Sequence, residues 1–305
     1  MAYQTGSAIS YADLLSSLTA FLTANGWTWD SANSVLSKGA QYYKLTSSTT
    51  ALSLQAGLGV SSGALVTPCG YQAQISNLGN GTVVGATVTF PATYYFHVTN
   101  SPKDAVAVLV NYSSTVWQYL IFGEAVNLGT SSSAIYCSGT WSNASRVRSL
   151  SNPTDNSNYG SMGPFNFDGS TVDAFSAPAS FLYSDLDSAG WLGGYLGSVL
   201  PRAWPEAINQ LSAQPNQWNQ EVVLIPVRII QLRASNLYSL IAEIDQIRYV
   251  RNTYLNDGDI ITIGTDKWKT YPFFKKDSSN PGGSSASYSY GSSGTYAIAV
   301  RYDGP

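Results

Sequence analysis

The sequence predicts a mainly β, α+β fold: an antiparallel, β-sandwich-like body with a short N-terminal helix and long Ser/Gly/Asn-rich loops. Three observations carry this. Short runs rich in β-branched and aromatic residues recur along the chain, each bounded by Gly, Pro, Asn or Ser. A clear helical period shows near the start. Between residues 130 and 220 periodicity is weak and Ser, Asn, Gly, Asp and Pro abound. The chain divides accordingly into a helix plus antiparallel β domain (1–129), a loop-rich middle section (130–220) and a C-terminal β-strand region (221–305) expected to pack with the N-terminal part.

Leu14, Leu15, Leu18, Phe21 and Leu22 fall on one helical face. Ser10 is placed to cap the helix, with Asp13 three residues on as a short capping box. Asn25-Gly26 closes it, since Gly readily takes the left-handed conformation after a helix. The helix is expected to pack on a sheet and carry no chemistry. Trp27 and Trp29 alternate with polar residues, which suits a strand or an extended exit. Gln41–Leu45 and Ala51–Gly57 read as the next strands. Residues 77–82 are a turn signal, and Asn80-Gly81 is the dipeptide favoured in tight hairpins.

A meander follows: Thr93–Val98, Ala105–Tyr112 and Val116–Gly123, with Asn100–Asp104 and Ser113-Ser114 as turns. The middle section reads as long loops anchored by Trp141, Trp191, Trp204 and Trp218, and loops of that length are usually functional or partly disordered. The last quarter returns to strands at Val222–Ile225, Leu240–Ile244, Asp259–Gly264, Trp268–Phe274 and Tyr296–Tyr302, with a Ser/Gly/Tyr loop from Ser284 to Gly294.

Charge is scarce: 11% of 305 residues, against roughly a quarter in ordinary domains. No Asp, Glu, Lys or Arg occurs from Leu45 to Pro102. Two readings stand: a β protein coated with Ser, Thr and Tyr, or a surface largely covered by other subunits. The net charge of −3 and the lack of a basic patch argue against direct nucleic-acid binding. No apolar run suits membrane insertion, and no secretion signal is expected.

Catalytic candidates are few. His97 is the only histidine; flanked by Phe96 and Val98 on a strand, and sharing a face with Tyr95, it reads as a packed side chain. No Gly-x-Ser-x-Gly elbow accompanies it. Three carboxylate pairs have the i, i+2 spacing that puts both members on one strand face, as glycoside hydrolysis could use: Asp185 with Asp187, Glu243 with Asp245, and Asp257 with Asp259. Asp257-Gly258-Asp259 sits where a turn is expected, and turn carboxylates usually cap backbone amides. It does not complete a calcium loop. Phosphate-binding and dinucleotide fingerprints are absent. No catalytic, cofactor-binding or metal residue is therefore assigned, and no cofactor is expected.

Cys69 and Cys137 read as two free, partly buried thiols of a reducing cytoplasm, with a Cys69–Cys137 bridge as the lesser alternative. Asn80, Asn111 and Asn143 open glycosylation-type tripeptides that read as chance matches. The eight Trp and 21 Tyr could line a glycan-binding surface or form subunit interfaces; their even spread favours interfaces.

Three segments in this order resemble a family of virion structural proteins of tailed bacteriophages. They are the opening Tyr11–Leu15 through Phe21–Trp27, the meander from Tyr94 to Gly123, and the C-terminal run of Glu243–Val250, Gly258–Gly264, Trp268–Phe273 and Tyr296–Tyr302. Together they cover about half the chain, and the middle section has no counterpart. The resemblance implies a non-enzymatic subunit made in the host bacterial cytoplasm and built into the virion, as a neck/collar or head–tail joining component. It would self-associate into a ring-like homo-oligomer around the tail axis and contact other neck or tail proteins. The alternative is a baseplate or tail-tip protein that binds host-surface glycan through exposed aromatics. A third reading, a tail-associated glycan hydrolase, rests on the carboxylate pairs alone.

Overall fold

The computed structural model describes residues 1–77, 88–113, 115–129, 133–142, 164–165, 180–193, 202–203, 222–279, 281 and 293–304. In chain order the first elements are β1 (Ala2–Ala8), α1 (Tyr11–Ala24), β2 (Thr28–Asp30), β3 (Val35–Lys38), β4 (Gln41–Ser47), β5 (Ala51–Gly57), β6 (Gly59–Ser61), β7 (Ala64–Val66) and β8 (Ala73–Ser76). The meander is β9 (Ala92–Thr99), β10 (Ala105–Ser113) and β11 (Val116–Asn127). Next come β12 (Ala134–Gly139), β13 (Trp141–Ser142), β14 (Ser180–Ser184), β15 (Gly190–Leu192) and β16 (Arg202–Ala203). The C-terminal strands are β17 (Ile225–Leu232), β18 (Tyr238–Arg251), β19 (Ile260–Ile263), β20 (Asp266–Pro272) and β21 (Tyr296–Tyr302).

The named strands pair antiparallel, and all but the separate β6–β7 hairpin stack in three layers. The front layer is α1 with a sheet ordered β13-β8-β5-β4-β3-β2. The central layer runs β1-β9-β10-β11-β12-β14-β15, and the back layer β16-β17-β18-β21-β20-β19. Strand β11 belongs to both of the last two: Leu120–Ala125 pair with β12, and Val126 and Asn127 pair with Glu243 and Ala242 of β18.

The central layer is covered on both faces, which explains the unbroken apolar runs of the meander. Val106, Val108, Val110, Leu120 and Phe122 face the front core; Ala107, Leu109, Trp117, Tyr119 and Ile121 face the back core. The helix adds Leu14, Leu18, Phe21 and Leu22 to the front core, with Phe21 5.8 Å from Phe96 ring to ring. Its cap is reciprocal: Ser10 Oγ accepts from the Asp13 N–H, and Asp13 Oδ2 accepts from the Ile9 N–H. Gly26, at φ 82°, follows the helix C-cap residue Asn25.

Front and central layers are tied where Tyr43 donates its hydroxyl to the Gly123 carbonyl at 2.9 Å. Gly123 sits at φ 152°, and a Cβ there would lie 2.6 Å from Cα and Cβ of Ala105. Only glycine lets β11 pass β10 so closely.

Several expectations are corrected. Val222–Leu224 lie outside the strand, which begins at Ile225; the expected Leu240–Ile244 strand runs instead from Tyr238 to Arg251. Strand β1 was not anticipated, because Ala-Tyr-Gln-Thr-Gly-Ser-Ala lacks β-branched apolar residues. It pairs with β9 from Ala2↔Val98 to Ala8↔Ala92, so β9 supplies the order. In the loop-rich middle section, the described residues include the buried strands β12 and β14. Trp141 is buried on β13, and Trp191 on β15 donates Nε1 to the Thr67 carbonyl at 2.6 Å. Trp204, Trp218, Asn80-Gly81 and residues 284–292 of the expected Ser/Gly/Tyr loop lie outside the described residues.

Candidate assembly face

The outer surface of the back layer gathers charge in a chain that has little of it. β17 and β18 pair Arg228 with Glu243, and β20 and β21 pair Trp268 with Arg301. From one side to the other the groups form a ladder. Arg228 Nε lies 3.1 Å from Glu243, whose other oxygen is 3.3 Å from Arg248. Arg248 reaches Asp245 at 3.1 Å, Arg301 reaches Asp245 at 2.9 Å, and Arg301 reaches Asp266 at 3.0 Å. Three guanidinium and three carboxylate groups thus neutralise one another.

Arg248 is held by more than charge. The β17–β18 register shifts here: Pro226 opposes Arg248, but Val227 opposes Ile244. The bulged residues turn carbonyls outward, and Arg248 donates to those of Ile244, Asp245 and Ile247 at 3.3, 2.9 and 2.9 Å. Its guanidinium lies 4.8 Å over the Trp268 ring. Beside the ladder, Val250, Trp268, Ala297 and Ala299 form a small apolar cluster under Val222, Leu224, Leu255 and Ile261.

At its rim, among the described residues, β19 is the end strand of the sheet, paired on one side only with β20. Its sequence is Ile-Ile-Thr-Ile, with Ile260 43% and Ile263 52% exposed. Val223 and Tyr254 are exposed as well. Edge strands are ordinarily blunted by charge, proline or a covering segment because their free N–H and C=O groups template further pairing. β19 carries no charge or proline within its span.

The sequence candidates distribute as follows. Glu243 and Asp245 do share a strand face, but both are engaged by arginines. Asp185 and Asp187 lie on a turn between β14 and β15 rather than on a strand; Arg233 grips Asp187 with two bonds of 2.7 Å and holds its carboxyl below the usual range. Asp257 and Asp259 lie in the turn before β19. Asp259 Oδ2 caps the Asn256 N–H at 2.6 Å, as a turn carboxylate does. Asp257 instead accepts from the Trp117 indole; burial raises its carboxyl above the usual value, and among the described residues its Oδ1 has no hydrogen-bond partner.

His97 is buried between the central and back layers. Its Nε2 is 2.8 Å from the Tyr271 hydroxyl, and its ring lies 5.0 Å from Tyr3 and 6.0 Å from Tyr302. Lys269 Nζ sits 5.1 Å over Tyr3 and 4.9 Å over Tyr302. Burial first, then the Lys269 charge, pushes His97 down to about 3, with the Arg301 main chain opposing; among the described residues Nδ1 has no hydrogen-bond partner of good geometry. A neutral imidazole locked to a tyrosine packs well, but it does not exchange protons near neutral pH.

Among the described residues, no group of three or more His, Cys, Asp or Glu is gathered to hold a metal ion, and no helix is long and apolar enough to cross a membrane. Asn111 uses its Nδ2 on the Val116 carbonyl at 3.2 Å; Asn80 and Asn143 lie outside the described residues.

The aromatics go inward. Among the described residues, Trp27, Trp117, Trp141 and Trp268 are buried, Trp29 and Trp191 half-buried, and the exposed tyrosines are Tyr71, Tyr238 and Tyr254. Among these described residues, the spread of aromatics reflects cores filled from many strands. Sequence reasoning missed the ladder, because its six members come from four strands whose pairing no local pattern records. The available signal was the alternation of charge in strands otherwise apolar.

No family model and no curated protein matches the chain. Among the described residues, the fold and face define a mainly β chain of stacked antiparallel sheets with one α-helix, at the N-terminus, and a self-neutralised outer face beside an edge strand that no other described strand pairs on its outer side.

Proposed function

We propose that this chain is a structural subunit of a tailed-phage virion, a neck/collar or head–tail joining component that self-associates into a ring. The observation that carries the reading is the β19 edge, which no described strand pairs, beside a face whose charges cancel internally. Burying unpaired charge is expensive, whereas a ladder that already satisfies its own charges is covered at lower cost. An apolar edge strand offers main-chain pairing to a neighbour. Heterologous contacts of this kind close into rings when the rotation allows. The resemblance noted above agrees: two of its three segments, the meander and the C-terminal run, make one continuous sheet through β11 and β18. Such a subunit is made in the host cytoplasm and resides in the particle, against other neck or tail proteins.

The glycan-binding reading draws less support, because no described tryptophan is exposed as a stacking platform. The test is the mass in solution by light scattering over a concentration series, alongside co-purification with particles. A closed ring of defined copy number supports the assembly role. A chain that stays monomeric at every concentration and never accompanies particles removes it.

A further inference from the structure

We propose that Cys69 and Cys137 are a disulfide-forming pair that locks the front layer to the central layer when the protein meets a thiol oxidant. The chain has two cysteines, far apart in sequence, and the fold brings both to one point. Both are free and buried in the front core. Cys69 lies in the segment between β7 and β8, and Cys137 in the middle of β12, paired with Phe122 and Phe181.

They meet over Ala56 of β5. The Cys69 N–H donates to the Ala56 carbonyl at 2.9 Å, and the Cys137 side chain interacts with the Ala56 main chain. Both thiols lie in the same front core, and Cys69 is near enough to add, after burial, to the rise of the Cys137 thiol. The Cys69 segment is fixed on both sides. Gln55 Nε2 donates to the Cys69 carbonyl at 2.7 Å, and Cys69 Sγ donates to the Tyr71 carbonyl at 3.3 Å. Thr67, Pro68, Gly70 and Tyr71 around it are exposed, so a small opening of this segment bares the pair.

The chemistry balances with a low-molecular-weight disulfide, such as oxidised glutathione, as the oxidant. One cysteine thiolate attacks it and releases one glutathione thiolate, leaving a mixed disulfide. The second cysteine thiolate attacks the protein sulfur of that mixed disulfide and releases the other glutathione. Two protein thiols give up two protons and two electrons, and one oxidised glutathione becomes two reduced ones. Burial holds the Cys137 thiol well above its usual value, so exchange is gated by opening and is slow in the closed fold. In a reducing cytoplasm the pair stays dithiol; outside the cell the bond forms and persists. This inference does not rest on the virion reading, since the pair oxidises whatever the chain assembles into.

The test is incubation of the folded full chain with oxidised glutathione, acid quench, intact mass and a non-reducing peptide map. The expected result is loss of two hydrogens and a single Cys69–Cys137 linked peptide that disappears with reductant. The oxidised chain shows a higher urea midpoint, because closing so long a loop raises the folded-to-unfolded ratio roughly a thousand-fold. Cys69→Ala and Cys137→Ala each abolish the link. The wild-type map alone decides if either variant fails to fold. Two reduced thiols after prolonged incubation in urea just below the transition, stable single adducts, or a link only between chains overturns the proposal.

Discussion

The Trp117 indole donates to Asp257 Oδ2 at 3.0 Å, fastening β11 of the central layer to the turn that precedes β19. Trp117→Phe keeps the ring beside Tyr95 and Tyr271 but deletes the donor. It should lower stability by about 1–3 kcal/mol in urea titrations. The carboxyl itself favours folding when protonated. Its folded value is raised by burial, so its contribution is full below the ordinary 3.8 and is lost as pH rises through the folded value. Asp257→Asn keeps an acceptor for the indole without the charge. It should be at least as stable as the wild type at neutral pH, and a less stable variant would refute this account.

The sign reverses at His97. Its folded value, about 3, lies below the ordinary 6.5. The unfolded chain therefore takes up a proton that the folded chain refuses. Stability from this site is full above 6.5 and falls as pH drops toward 3, by up to about 1.4 kcal/mol per pH unit. His97→Gln should flatten that part of the urea-midpoint profile. An unchanged acid limb would mean that other groups drive acid unfolding.

Gly123→Ala puts a methyl group into the β10 backbone and forces alanine to a φ it rarely takes. A loss of about 2–4 kcal/mol is expected by thermal or urea unfolding. A variant with wild-type stability would show that β11 can shift away from Ala105.

Asp245 is the shared carboxylate of Arg248 and Arg301, so Asp245→Asn leaves Arg248 with Glu243 and Arg301 with Asp266 as their remaining carboxylates. Partial exposure tempers the effect to about 1–3 kcal/mol, and salt should shrink it. Asp266→Asn, at the open end of the ladder with a side chain 46% exposed, should cost under about 1 kcal/mol. Equal losses at the two positions would argue against a ladder centred on Asp245.

Ile263→Lys places a charge on the β19 edge without touching a core. The variant should keep its unfolding midpoint within about 0.5 kcal/mol yet lose self-association in light scattering. A ring that persists unchanged would move the contact surface elsewhere on the chain.

The helix, its Ser10 cap, the meander and strand β5 were legible because each rests on local information: a period, a cap, a turn. Strand β1 was not, since its residues become a strand through the pairing that β9 offers. Nor was the true reach of β18, whose bulge between Ile244 and Arg248 breaks the alternation that marks a strand. The Asp185–Asp187 spacing suggested a shared strand face, but positive φ at Asp187 turns the chain there instead. The work of Arg248 on three bulge carbonyls and the Trp268 ring depends on residues brought together only by folding.

Strand β11 is a member of two sheets, and that shared membership has a mechanical meaning. A pull applied to the back layer reaches the central layer along β11, as strain on its rows of hydrogen bonds to β10 and β12. Rows loaded lengthwise give way together rather than one at a time. The link between β11 and β18 is short: Val126 with Glu243, Asn127 with Ala242 and the Leu128 N–H on the Ile241 carbonyl, so load passing between the layers along β11 is concentrated on these few bonds.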